Sequence, residues 1–121
     1  MDESQIANII VSILIGLVFY GSAILLRKFP PNDINALYGY RTARSMKHKD
    51  LWNEGNNYSA ILMKKYGIYF TVLGITISLI FKGISITLIT MGIMILYIIL
   101  LFVKVEKRLK EMERDIKNNT D

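Results

Sequence analysis

The sequence predicts an all-α, polytopic membrane protein with three transmembrane helices, and three observations carry that prediction. Of its 121 residues 52% are apolar, more than a single soluble domain of this size can hide in one core. Three runs carry no charge, residues 6–26, 66–81 and 84–103, against the roughly 20 residues a helix needs to cross the hydrocarbon. The cations are placed as topology demands: none precedes the first run, eight lie between the first and second, and six follow the third.

The first run opens on the acidic segment MDESQ and is longer than the apolar region of a secretory signal peptide, so it is expected to stay in the mature protein. Asn8, Ser12, Gly16, Tyr20 and Ala23 form a stripe of small or polar residues along it, the kind of face on which membrane helices pack closely. Pro30 and Pro31 then stop the helix, because neither can donate a backbone hydrogen bond and each pushes the preceding residue towards extended geometry.

Residues 30–42 read as an ordered, non-helical loop. Asn32, Asp33 and Asn35 are turn formers, Leu37, Tyr38 and Tyr40 offer apolar surface, and Gly39 between two tyrosines marks a backbone position that needs positive φ or close approach. Thr42 or Ser45 can cap a new helix. That helix, about 45–65, brings Leu51, Tyr58 and Leu62 near one another and reads as an interfacial amphipathic helix with Trp52 at headgroup depth. The domain is thus one membrane unit, with a cytoplasmic loop and interfacial helix at 27–65.

The second run, 66–81, turns through Lys82 and Gly83 directly into the third, 84–103, so these two form an antiparallel hairpin. The third run holds thirteen Ile, Leu, Phe or Val residues, which at about −0.3 kcal/mol each favour insertion by roughly 4 kcal/mol. In the tail, 104–121, Val105, Leu109, Met112 and Ile116 continue a helical stripe out of the membrane, suited to a solvated extension or to a short coiled-coil contact. By the positive-inside rule the N-terminus is outside, and both the central loop and the C-terminus are cytoplasmic.

The formal net charge of +5 reads as topology together with attraction to anionic headgroups, and no nucleic-acid partner is expected. With no cysteine in the chain, disulfides and thiolate catalysis are excluded. His48 lies near Asp50 and Glu54, but the spacing matches no strong metal motif and reads as a solvated helix surface. No phosphate loop and no intramembrane carboxylate is present, so neither an enzyme, a cofactor nor an ion-coupled transporter is expected.

One ordered set of residues remains: Pro31 and Asn32, then Gly39, Tyr40, Arg41 and Thr42, then Ser45, Trp52 and Asn56. This set, between the first two apolar runs, resembles the signature of the SdpI-like family of integral membrane proteins. The resemblance implies a multi-pass protein of the bacterial cell membrane that gives immunity against a membrane-acting peptide toxin, with a cytoplasmic regulator as a further partner. The alternatives are an anionic-lipid-binding or scaffolding protein without toxin recognition and, third, a membrane enzyme acting on a headgroup through His48, Asp50 and Glu54; homo-oligomerisation stays open. Within the signature, Arg41 is expected to grip a lipid phosphate or to clamp the loop to Asp50 or Glu54. Trp52 is expected as an interfacial anchor, Tyr40 and Asn56 as supports of the turn, and Pro31, Asn32 and Gly39 as shapers of the backbone.

Overall fold

Asp2 starts the first helix, α1 (Glu3–Lys28), with a reciprocal capping box: Asp2 Oδ1 accepts from the Gln5 N–H at 2.9 Å and Gln5 Oε1 accepts from the Asp2 N–H at 2.8 Å. Glu3 in the first turn and Arg27 and Lys28 in the last complement the helix dipole. The helix ends at Phe29, immediately before the two prolines. The computed structural model describes residues 1–120, and two further helices complete it: α2 (Lys49–Ile80) and α3 (Ile84–Thr120). Every regular element among the described residues is helical. Each of the three helices is long and apolar enough to cross a membrane.

The stripe foreseen on α1 faces α2. Gly16 and Gly67 meet where the two helices cross, so closely that a Cβ on either would lie 2.9 Å from the other's carbonyl oxygen. Asn8 extends the seam by donating to Ser78 Oγ at 2.8 Å and to Thr90 Oγ1 at 3.0 Å, which draws α3 into the same polar contact. In an apolar surrounding these hydrogen bonds and the close backbone approach supply the helix association that hydrophobic burial cannot.

The α2–α3 connection is as short as expected. Gly83 takes φ +81° in it, and the start of α1 holds the turn: Ser4 Oγ accepts from the Gly83 N–H at 3.0 Å, and Gln5 Nε2 donates to the Phe81 carbonyl at 3.2 Å.

At the opposite end the structure departs from the sequence expectation. No separate interfacial helix exists, because residues 49–65 are the first half of one continuous α2 of 32 residues, about 48 Å long at 1.5 Å per residue. Its apolar stripe is covered by α3. Leu51, Leu62 and Tyr66 pack with Leu101, Val105 and Leu109 of α3, and Tyr58, Met112 and Ile116 close the edges. The emergent end of α2 and the tail of α3 therefore cover each other as an antiparallel pair, which removes the apolar face that an interfacial helix would have offered to lipid.

The cap also differs. His48 caps α2 by accepting from the Asp50 N–H at 3.2 Å. Thr42 and Ser45 instead close a single isolated turn before it, each side chain bonded to the other's backbone N–H at 2.9 and 3.1 Å.

Candidate functional site

The loop between α1 and α2 folds back over the emergent α2–α3 pair, and the signature residues are what hold it there. Gly39 stands at φ +116°, where a Cβ would meet Asn56 Oδ1 at 2.6 Å and Pro31 Cγ at 2.9 Å. The position requires glycine on both grounds, conformation and space. It lets the next residue, Tyr40, donate its backbone N–H to Asn56 Oδ1 at 2.7 Å, while Asn56 Nδ2 donates to the Trp52 carbonyl at 2.7 Å. Ser45 Oγ, fully buried, donates to the Tyr40 carbonyl at 2.9 Å.

Trp52 is a structural post and not a headgroup anchor. Its side chain is 0% exposed, and its indole N–H donates to the Pro31 carbonyl at 2.7 Å. A tryptophan sealed in protein with its one donor satisfied has no polar end left for an interface. Pro31 is buried beneath it, whereas Asn32 is exposed.

The loop's electrostatic clamp lies on α3. Glu106 accepts from Thr42 Oγ1 at 2.7 Å and from the Tyr40 hydroxyl at 2.8 Å through one carboxylate oxygen, and from Arg44 at 2.8 Å through the other. Arg44 also binds Glu113 at 2.9 Å, and Lys47 joins that carboxylate at 3.2 Å. Burial pushes the Glu106 carboxyl up, but the bonds from Thr42, Tyr40 and Arg44 outweigh it and hold the carboxyl below its ordinary value. Arg44 and then Lys47 hold Glu113 low as well. Burial, then the adjoining Glu106 carboxylate, raises the Tyr40 hydroxyl far above its ordinary value, so it stays a hydrogen-bond donor.

Arg41, expected to be the clamp, engages neither Asp50 nor Glu54. It donates to the Ala36 carbonyl within its own loop and stays exposed. The reason is direction: Arg41 precedes the Thr42–Ser45 turn, and it is Arg44, inside that turn, that faces α3. Asp50 and Glu54 are used elsewhere, Asp50 beside His48 at 3.9 Å and Glu54 beside Arg108 at 3.9 Å. Among the described residues no three His, Asp or Glu side chains gather as a metal site would require.

Arg44, Glu106 and Glu113 were not singled out from the sequence. A signal for two of them was present: Glu106 and Glu113 stand seven apart beside the Val105, Leu109 and Met112 stripe, where a helix pair places its flanking charges.

Three membrane-length helices, with a polar loop locked to the emergent ends of two of them, define a small multi-pass membrane protein whose distinctive part is the loop. The model of the SdpI/YfhL protein family matches residues 32–104, which take in the loop, all of α2 and most of α3. Over 91 residues the chain is 40% identical to the uncharacterized protein YfhL of Bacillus subtilis (strain 168), an alignment covering 75% of this chain and 78% of that relative. The chain belongs to the SdpI/YfhL family. No solved structure matches it.

Proposed function

We propose that this protein sits in the bacterial cell membrane and protects the cell against a membrane-acting peptide toxin, without catalysis. The family match across residues 32–104 carries this reading, since it takes in the signature from Asn32 to Asn56 together with α2 and the membrane-spanning part of α3. The positive-inside rule supports an orientation with the start of α1 and the α2–α3 turn outside and the loop and tail in the cytoplasm. In that orientation the clamped loop is available to a cytoplasmic regulator, and the membrane-spanning halves meet the toxin. Protection without chemistry needs a surface of fixed shape. The Asn56, Trp52 and Glu106 bonds supply one by leaving the loop few alternatives.

Deleting the gene and challenging the cells with secreted membrane-active peptides tests the proposal. The deletion is expected to sensitise the cells to at least one such peptide, and restoring the wild-type chain to reverse this. Unchanged survival against every peptide, with the protein present at normal level in the parent strain, contradicts it.

A further inference from the structure

Where the loop meets all three helices lies a cavity of about 450 Å³, within the roughly 300–1,000 Å³ of small-molecule sites. Its walls are mostly apolar, with Phe19 and Leu26 from α1, Met63 from α2 and Leu101 and Phe102 from α3, while Arg41 lines its loop side.

Three observations say what chemistry fits. The first is its level along the helices. Leu26 is followed by Arg27, Met63 by Lys64, and Phe102 stands two residues before Lys104. On α1 and α3 the cavity is lined by the last apolar residues before the first cation, and on α2 Met63 adjoins the Lys64–Lys65 pair that opens its apolar run, which puts the cavity at the boundary between hydrocarbon and headgroups. Lys64 and Lys104 mark the same level by lying over the Tyr20 and Tyr66 rings, each 5.8 Å from the centroid.

The second is the state of Arg41. Arg44 and Lys47 are committed to carboxylates, but Arg41 has no carboxylate partner among the described residues. Its one recorded hydrogen bond goes to the Ala36 carbonyl, which leaves most of a five-donor guanidinium free to grip an anion of planar or tetrahedral oxygens. The third is the surface beside the cavity. Phe29 is 59% and Leu37 89% exposed, and Ile34 and Tyr38 of the same loop are exposed as well. Such residues fit a loop that touches lipid better than one bathed in water.

We propose that this cavity holds one acyl chain of an anionic phospholipid drawn from the surrounding bilayer, with the phosphate on the Arg41 guanidinium. The apolar walls take the chain, and Arg41 selects the headgroup by charge and by its fork of donors. The site is independent of any toxin and goes beyond the protective role.

Native mass spectrometry of the full-length protein in detergent, with added dioleoyl phosphatidylglycerol or dioleoyl phosphatidylcholine, tests it, because the two lipids share their chains and differ in headgroup charge. The wild type is expected to retain one phosphatidylglycerol at least tenfold more strongly than phosphatidylcholine. Arg41→Gln should bring phosphatidylglycerol down to the phosphatidylcholine level, and Ser22→Phe, which fills the cavity from an exposed position on its α1 wall, should weaken both. Lys49→Gln, a cation outside the cavity wall, should change neither. Both altered wall positions are exposed, so helical content by circular dichroism should match wild type in each variant. Equal retention of the two lipids by the wild type, as a plain apolar crevice or a peptide groove would give, overturns the proposal. Wild-type retention in either Arg41→Gln or Ser22→Phe overturns it equally.

Discussion

Two arginines three positions apart carry different duties, and substitution should separate them. Arg44 bridges two carboxylates of α3 with its side chain about two-thirds covered, so Arg44→Gln is expected to lower the unfolding free energy by about 1–2 kcal/mol, the range for hydrogen bonds to partly exposed charged groups. Arg41→Gln should leave it within about 0.5 kcal/mol, as surface substitutions usually do. Thermal unfolding in detergent reads both, and equal losses for the two variants would refute the division of roles. Trp52 makes a second residue-scale prediction. Trp52→Phe leaves the Pro31 carbonyl buried without its donor, at a cost of about 1–3 kcal/mol. The wild-type indole should also resist quenching by lipid-borne quenchers, since it touches protein on every side. Strong quenching would return it to the headgroup region. The signature residues were legible as a set, and the glycine demand at position 39 was legible in kind. Their partners were not: Glu106 lies 62 residues from Arg44, and no local spacing connects them.

At the scale of elements, the three apolar runs, the proline stop after α1 and the tight turn at Gly83 all follow from local physics, and the structure has a helix over each run and the turn where the prolines and Gly83 place it. The expectation of an interfacial helix failed because one amphipathic stripe looks the same whether lipid or another helix covers it. Leu51, Tyr58 and Leu62 on α2 and Val105, Leu109 and Met112 on α3 each had an apolar face in need of cover, and the antiparallel hairpin brings the two faces together. This pairing is fastened by carboxylates with lowered pKa, which sets its pH dependence. The folded state binds fewer protons than the unfolded state as acid is added, so the stabilisation from Glu106 and Glu113 is complete above the ordinary glutamate pKa of about 4.3 and is lost as pH falls below it through the lowered values. Unfolding followed from pH 7 to pH 3 should show the loss only in the acidic part, and Glu106→Gln should flatten it. A transition centred near neutrality would point to a different group.

For the molecule as a whole, the account requires the loop and the α3 tail to lie on one side of the membrane, since Arg44 and Tyr40 reach Glu106, and the start of α1 to lie on the other side with the α2–α3 turn, since Ser4 and Gln5 hold that turn. Which side faces the cytoplasm rests on the cations alone: fourteen of the fifteen lie in the last turn of α1, in the loop, in the adjoining part of α2 and in the tail, and Lys82 is the exception. The chain has no cysteine, so single cysteines report without background. Cysteine substitutions at Glu3, Lys82, Met46 and Lys117, labelled in intact cells with a membrane-impermeant maleimide and again after the membrane is opened, measure the arrangement directly. The account predicts labelling of the first two positions in intact cells, and of Met46 and Lys117 only after opening. Labelling of Met46 and Lys117 on opposite sides would contradict the clamp itself, and labelling of both from outside would contradict the orientation.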